Sequence, residues 1–322
     1  MNTELQTAIR NTGEVIINSP AVQGVVSSLI TTLFVRRGEM TKAMEMLKAH
    51  EFEKVTNDLL NSGKLSYVEL YKCRNFLKIA ERADEVFAND QEKESEQVSG
   101  GDEKNKFSFD WLMRFFDAVG NISNEELQQL WGKVLANEIS HPKSCSLRTL
   151  DMIRNMPPEE AETFSMLCRY VMQSGDSFYI DSAGFFSEEE GHQECRDYIK
   201  RLGLSYEEHI IPLIEAGVLS VNHDLAIYIN RDMGLEVHND KLCGFVMSHK
   251  EESILLQRDA YFLTVSGKEL FHIIHEGVDY DADEEYAVLC LKEIKRQHPE
   301  FDVSAFSLFE DSSHSDLLKE TE

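Results

Sequence analysis

A charged stretch at residues 88–106, almost without apolar side chains, divides the chain into two parts. Glu, Asp, Lys, Ser and Asn make up most of it, and Gly100 and Gly101 lie near its centre. Such a segment buries too little apolar surface to offset the entropy that ordering removes. We therefore predict a flexible acidic linker at 88–106, preceded by a separate N-terminal helical region at 1–87.

The chain has 322 residues, which is more than one hydrophobic core usually supports, so several packed units are expected. The units predicted after the linker are a helical middle domain at 107–175, a winged-helix-like α+β domain at 176–280, and a C-terminal helix with an acidic tail at 281–322. The expected fold class is mainly α with a smaller α+β part, in which an N-terminal helical bundle precedes the other units.

The clearest local signal is a capping box in which Ser123 stands three positions before Glu126. Apolar residues then recur at helical spacing, at Leu127, Leu130, Trp131, Val134, Leu135 and Ile139. The pattern predicts a helix over 124–139. The same spacing predicts helices between residues 40 and 79, and on both sides of Pro157 and Pro158.

Mixed helix and strand patterns begin at residue 176. Helical spacing at 198–202 and 210–214 ends at Gly217, and Thr264 is placed to cap a closing helix. Between them lie short β-rich runs at 218–221, 225–229, 245–247, 253–256 and 261–263. This order predicts a winged-helix unit, although a small α+β domain of another topology has the same order.

The charge of the chain limits its partners. Acidic residues number 58 and basic residues 32, so the formal net charge is -26, and such a molecule repels phosphate backbones. The predicted recognition helix at 206–216 contains Glu207, Glu208 and Glu215 but no Lys or Arg. The helix before it supplies the nearest basic residues, Arg196, Lys200 and Arg201. Nucleic acid is therefore not expected as a partner.

Cysteine usage and hydropathy indicate a cytoplasmic protein without a membrane span. The six cysteines form no C-x-x-C pair, as expected for isolated thiols in a reducing compartment. Residues 1–18 are polar and lack a signal-peptide pattern. One apolar run, 21–35, is shorter than the ~20 residues of a spanning helix and contains Ser, Thr and Gln. A buried helix is predicted there, with a membrane-surface or oligomerising helix as the alternative.

Few residues suggest a site for chemistry. His272 and His275 lie one helical turn apart, but not in the H-E-x-x-H order of zinc proteases. His238, Cys243 and His249 could approach one another across a hairpin, but they lack the close paired spacing of zinc sites. The sequence has no G-x-S-x-G, G-x-x-x-x-G-K-[ST] or G-x-G-x-x-G motif. We therefore predict no catalytic, cofactor-binding or metal-binding residues, and no cofactor.

Several segments resemble known families. They are R-N-F-L-K-I-A at 74–80, I-S-N-E-E-L-Q-Q-L-W-G-K-V-L-A-N-E-I at 122–139, S-L-R-T-L-D-M-I-R-N-M at 146–156, P-E-E-A-E-T-F at 158–164 and Y-F-L-T-V-S-G-K-E-L at 261–270. Together they resemble a bacterial family known only as a domain of unknown function. The order of an L-Q-x-L-W-x-x-x-L-A helix, an E-E-A segment and an L-T-x-x-G-x-E-L closure is also similar to the abortive-infection alpha family of phage-defence proteins. Gly132 and Asn137 depart from that pattern.

The second resemblance implies a function in phage defence, and the lack of catalytic motifs favours a non-enzymatic bacterial protein-interaction protein. Its expected partner is another protein or a copy of itself, in a homo-oligomer or a complex. A winged-helix DNA-binding transcriptional regulator is one alternative, and an enzyme with a dispersed active site is the other.

Overall fold

The computed structural model describes residues 17–35, 61, 63, 66–93, 108–185, 193–220, 223–275 and 281–308. The chain forms two compact units, Met1–Arg154 and Asn155–Glu322, and each is described here by itself. The helices expected between residues 40 and 60, and the acidic tail expected beyond residue 308, lie outside the described residues.

The first unit is built of helices. They are α1 (Pro20–Val35), α2 (Tyr67–Lys93), α3 (Phe109–Val119), α4 (Glu125–Ser140) and α5 (Leu147–Asn155). Helix α2 packs against α1, α3 and α4. In the core, the Phe115 ring stacks on Trp111 with centroids 5.0 Å apart and meets the edge of Trp131 at 5.5 Å. Helices on both sides of the predicted linker therefore share one core.

Helix α2 also enters the segment predicted as linker, because it continues to Lys93. Glu, Gln, Ala and Lys are good helix formers, so a charged run can prolong a solvated helix. Arg82 and Glu85, one turn apart in the helical turn before this stretch, form an ion pair at 2.9 Å. Residues 94–106, the rest of the predicted linker, lie outside the described residues, as does residue 107.

The helix predicted at 124–139 is confirmed as α4, but its cap differs from the prediction. Asn124 lies at the N-cap, and its side chain accepts a hydrogen bond from the backbone N–H of Leu127 at 3.0 Å. The helix begins one residue later than the capping box implied, so Asn124 and not Ser123 reaches that amide. Asn and Ser are about equally good N-caps, and sequence spacing alone did not separate them.

Helices α2 and α4 approach each other closely at Gly132. A Cβ atom at this position would lie 2.6 Å from the Cβ of Arg82 and 3.2 Å from the backbone nitrogen of Ala83. Real Cβ atoms do not come so near to other heavy atoms, so the crossing requires a residue without a side chain. The departure at Gly132 from the abortive-infection pattern therefore has a packing reason.

The second unit combines helices with a sheet. Its helices are α6 (Pro158–Leu167), α7 (Gln193–Arg201), α8 (Ile211–Glu215), α9 (Val265–His275) and α10 (Glu284–Gln297). Its strands are β1 (Met172–Ser174), β2 (Ser177–Asp181), β3 (His223–Ile229), β4 (Leu235–His238), β5 (Leu242–Ser248), β6 (Ile254–Phe262) and β7 (Phe301–Ser307).

The predicted fold class is wrong, because all seven strands form one antiparallel sheet in the order β3-β6-β2-β1-β4-β5-β7. A winged-helix unit carries only a small sheet, whereas this sheet takes strands from before and after the range 176–280. Strand β7 lies in the region predicted as a separate C-terminal part, and it pairs with β5 along its whole length. Most of these pairings join distant parts of the chain, and local strand propensity says nothing about such partners.

The two faces of the sheet have different surroundings; we call the face covered by α10 the inner face and the opposite one the outer face. On the inner face, α10 packs so closely on β5 that a Cβ at Gly244 would lie 2.6 Å from Leu291. On the outer face, the Phe271 ring of α9 lies 5.5 Å from Phe178 of β2. This outer cover lies over β2 and β6, and it leaves the outer faces of β4, β5 and β7 more open.

Candidate protein-interaction surface

The open part of the outer face carries a group of apolar side chains. We call it the outer-face patch and define it as Cys243, Phe245, Met247 and Phe306. Cys243 lies opposite Phe306 in the β5–β7 ladder, and the rings of Phe245 and Phe306 lie 6.3 Å apart at an angle of 64°. Phe306 is 45% exposed and Met247 is 39% exposed. The patch is therefore apolar and open to solvent.

Strand period explains how the patch arises. In β5 the buried residues Leu242, Gly244 and Val246 point inward, so the residues between them must point outward. In most sheets with one solvated face those outward positions are polar. Here the run L-C-G-F-V-M is apolar on both faces. This uninterrupted apolar run is the sequence signal for the patch, although only its last three residues, 245–247, are predicted as a strand.

Acidic residues border the patch. Glu236 of β4 lies beside Phe245 in the ladder, and Asp302 of β7 lies opposite Met247. The Cys243 thiol donates a weak hydrogen bond to the Glu236 carboxylate, with Sγ and Oε1 3.6 Å apart. Burial, and then the charge of Glu236, raises the pKa of Cys243. The residue is therefore held as the thiol, which is neither a good nucleophile nor a good metal ligand.

Two of the three residues considered for a hairpin metal site come together. His238 and Cys243 lie directly opposite each other in the β4–β5 ladder. His249 lies just beyond the other end of β5 and forms an ion pair with Asp302 if its ring is protonated. In the part of the chain that the structure describes, no group of three or more His, Cys, Asp or Glu side chains could hold a metal ion.

The histidine pair on α9 lies among aromatic rings. His272 meets the edge of Phe178 with centroids 5.1 Å apart, and His275 lies 4.8 Å from Phe271. The first contact joins α9 to β2, and the second lies within α9. The structure therefore gives the two imidazoles a packing role at this junction.

The element predicted as a recognition helix has another structure. It begins as a π-helical turn, Tyr206–Ile210, that leads into the short helix α8. The Tyr206 ring packs 5.9 Å from Tyr261 on the outer face of β6. Arg201, one of the basic residues before it, forms an ion pair with Glu285 of α10 at 3.0 Å. The segment thus covers part of the sheet with an acidic exterior.

A buried ion pair lies under the inner face and was not predicted from the sequence. Arg258 of β6 donates to both carboxylate oxygens of Asp181 of β2, at 2.7 and 2.9 Å, and to Gln297 of α10 at 3.2 Å. The Arg258 and Asp181 side chains are only 3% and 4% exposed. Their separation of 77 positions in the sequence left no local signal. The pair joins two strands to α10 and is closed to any substrate.

No helix within the described residues is long and apolar enough to cross a membrane. The run at 21–35 falls within α1, where Val22, Val25, Val26 and Leu29 are buried. The expectation that this run is a buried helix is thus confirmed for its described side chains.

Comparison with known proteins gives one match. A family model described as "Protein of unknown function (DUF2806)" matches residues 78–289. The match runs from within α2 into α10, so it includes parts of both compact units and ends before β7. No curated protein and no solved structure matches the chain.

Proposed function

Because the chain belongs to the DUF2806 family, which is described as proteins of unknown function, we propose a function from its own residues. The protein is a non-enzymatic interaction protein of bacteria that acts in defence against phage. It binds a partner protein through the outer-face patch. The exposed cluster of Phe306, Met247 and their neighbours is the observation that carries the proposal, since open apolar patches bordered by polar residues mark protein-binding surfaces.

The surroundings of the patch specify the chemistry of the partner. Glu236 and Asp302 lie beside the apolar side chains, and the whole chain has a net charge of -26. Complementary charges around an apolar contact steer association and reject wrong partners. The partner is therefore a protein that presents an apolar face bordered by Lys and Arg. Its binding weakens as salt screens these charges.

A non-enzymatic role is supported by the way buried ionisable groups are used. Arg258 and Asp181 neutralise each other under the sheet. Glu138 accepts hydrogen bonds from the backbone N–H groups of Lys143 and Cys145 at 2.7 and 3.1 Å. Both sets of contacts tie chain segments together. Burial is the main cause of the raised pKa of Glu138, and its hydrogen bonds account for the position of this carboxyl without a catalytic role.

The defence role is supported by the likeness to the abortive-infection alpha family. The shared L-T-x-x-G-x-E-L closure lies at the start of α9, where Thr264 accepts a hydrogen bond from the backbone N–H of Gly267 at 3.0 Å. A Cβ at Gly267 would lie 2.2 Å from the carbonyl oxygen of Val218. Thr and Gly are thus needed to build this turn in the present chain, and the resemblance at these two positions is what supports the defence role.

Plating efficiency across a diverse phage panel tests both parts of the proposal. Cells that express the protein are compared with cells that lack it, alone and with its neighbouring genes. We expect reduced plating of at least one phage, and we expect Phe306→Glu to abolish the effect by placing a charge in the apolar contact. Val265→Glu is the matched control, because Val265 is 67% exposed and lies outside the patch, at the start of α9.

The outcomes of these tests distinguish the defence role from the choice of the binding surface. Unchanged plating for every phage rejects the defence role. Protection that survives in a folded Phe306→Glu protein rejects the patch as the binding surface. A mobility assay with DNA at two salt concentrations should show no tight binding, and binding with a steep salt dependence would favour the DNA-binding regulator.

A further inference from the structure

Strand β3 is an edge of the sheet. It pairs with β6 from His223 to Ile229, and no described strand pairs with its other side. An edge strand presents a row of backbone N–H and C=O groups that can form a ladder with another strand. With seven residues, β3 is slightly longer than an average strand of about five or six.

The edge lacks the features that usually prevent pairing. Natural edges are protected by Lys, Pro, inward-pointing charges or bulges. From Leu225 to Ile229, β3 contains none of these residues, and each of its positions pairs in turn with β6 without a bulge. Tyr228 is 61% exposed and lies opposite the exposed Leu255 of β6. The edge therefore continues into an apolar surface on the outer face.

We propose that β3 pairs with β3 of a second copy of this chain, antiparallel about a two-fold axis at Ile227. In this register Leu225 faces Ile229 of the second copy, and both residues are already buried in their own chain, so neither brings an exposed polar group to the contact. On the outer face, the small Ala226 faces the large Tyr228 of the second copy. A register centred on Ala226 instead places Tyr228 against the acidic position 224. The Ile227-centred register alone keeps all positions from 225 to 229 paired with apolar partners.

Charge at the ends of β3 favours the same arrangement. Asp224 precedes the apolar positions of β3, and the exposed Arg231 follows them. In the Ile227-centred register, position 231 of one copy comes opposite position 223 of the other, so the basic end of one strand lies near the acidic end of its partner. The two ends of the strand are complementary, as a two-fold contact requires.

The whole-molecule charge determines how this contact responds to salt. Two chains of net charge -26 repel each other, and this repulsion outweighs the attraction between the oppositely charged ends of the two strands. Raising the ionic strength from about 0.01 to about 0.15 M shortens the screening length from about 30 to about 8 Å. Self-association through β3 should therefore strengthen with salt. Binding of a basic partner at the outer-face patch should weaken, so the two contacts are distinguished by one titration.

Sedimentation of the full chain over a range of concentrations and salt tests the proposal. We expect a mass twice the 36.9 kDa of the chain, with a smaller dimer fraction at low salt. Ala226→Lys should give a monomer, because it places a cation in the middle of the edge. Gln257→Lys is the matched control: Gln257 lies opposite Ala226 in the ladder and is also exposed, but it is one strand away from the edge.

A cross-link tests the register. Residues at a two-fold axis have Cβ atoms about 5 Å apart, so Ile227→Cys should form a disulfide between copies when oxidised glutathione is added. Two thiols are oxidised, and one glutathione disulfide is reduced to two glutathione molecules. Tyr228→Cys should cross-link much less, and it also measures the background from native cysteines.

Three results would overturn the inference. The first is a wild-type chain that stays monomeric at every concentration and salt. The second is an Ala226→Lys protein that remains as dimeric as Gln257→Lys. The third is cross-linking at position 228 that exceeds cross-linking at 227. None of these results bears on phage plating or on the outer-face patch, so the proposed function is tested separately.

Discussion

Two residues of this protein have properties that can be recognised only in the folded structure. Gly132 is the residue without which α2 and α4 could not cross so closely, although glycine weakens an isolated helix. Cys243 belongs to an exposed patch, yet burial and Glu236 raise the pKa of its thiol. Neither property follows from residue type, because both depend on a neighbour from another element.

Alkylation of Cys243 should become faster in a Glu236→Gln protein. Removing the carboxylate takes away one of the causes that raise the pKa of the thiol, so more thiolate is present at a given pH above neutrality. The other five cysteines are buried, and iodoacetamide labelling followed by mass spectrometry should report mainly on Cys243. Glu252→Gln, in the turn before β6, should leave the rate unchanged. Equal rates in all three proteins would show that the carboxylate does not act on the thiol.

Gly132→Ala should destabilise the protein by about 1 to 3 kcal/mol, as forced overpacking does. The added Cβ would meet Arg82 at 2.6 Å, and this clash exceeds the gain of about 1 kcal/mol in helix propensity. Gly24→Ala in α1 is the control, because nothing lies within 4 Å of its new Cβ, and it should stabilise the protein slightly. Urea unfolding measures the stability of both variants relative to the wild-type chain. A Gly132→Ala protein as stable as Gly24→Ala would contradict the close crossing.

At the scale of elements, local patterns were informative and long-range pairing was not. The apolar spacing between Leu127 and Ile139 correctly predicted α4, and Thr264 was correctly placed as the residue before α9. Strand β4, by contrast, is only four residues long and reads as a loop between stronger signals. The pairing of β5 with β7, like that of Asp181 with Arg258, joins segments whose sequences do not indicate each other. The candidate patch depends on that pairing, and it was not predicted.

The N-cap residue of α4 can be identified by comparing alanine substitutions at Asn124 and Ser123. Asn124→Ala should cost about 1 kcal/mol of stability, because it removes the acceptor for the Leu127 amide. Ser123→Ala should cost much less, since Ser123 is exposed and precedes the cap. Thermal unfolding of the two variants under the same conditions measures both losses of stability. A larger loss for Ser123→Ala would restore the capping box that the sequence suggested.

At the scale of the whole molecule, the division of the chain differs from the one its composition suggests. The charged stretch at 88–106 was expected to separate two domains, but α2 before it packs against α3 and α4 after it. The boundary between the compact units instead falls between Arg154 and Asn155 in the sequence, within α5, where the composition does not change. Composition indicates where a chain can lack a core, but it does not indicate which segments share one.

Limited proteolysis distinguishes these two divisions. Cleavage is expected first within residues 94–106, which are rich in Lys and Glu. The two pieces should then elute together in size-exclusion chromatography, since α2 remains packed on α3 and α4. They should separate only after a denaturant is added, as a denaturing gel and a column run in urea would show. Pieces that separate under native conditions would mean that the shared core is too weak to hold them.

The position of α10 and β7 in the chain has a consequence for synthesis. Both follow every other described element, yet α10 covers the inner face over β5, and β7 completes the ladder beside it. While a ribosome is still producing these last segments, the Arg258 and Asp181 pair lacks Gln297 and the sheet lacks one of its layers. The helices up to Asn155 can fold during that time. The sheet unit cannot complete its ladder until β7 has emerged, and until then its apolar surface and unpaired strand edges are exposed to aggregation.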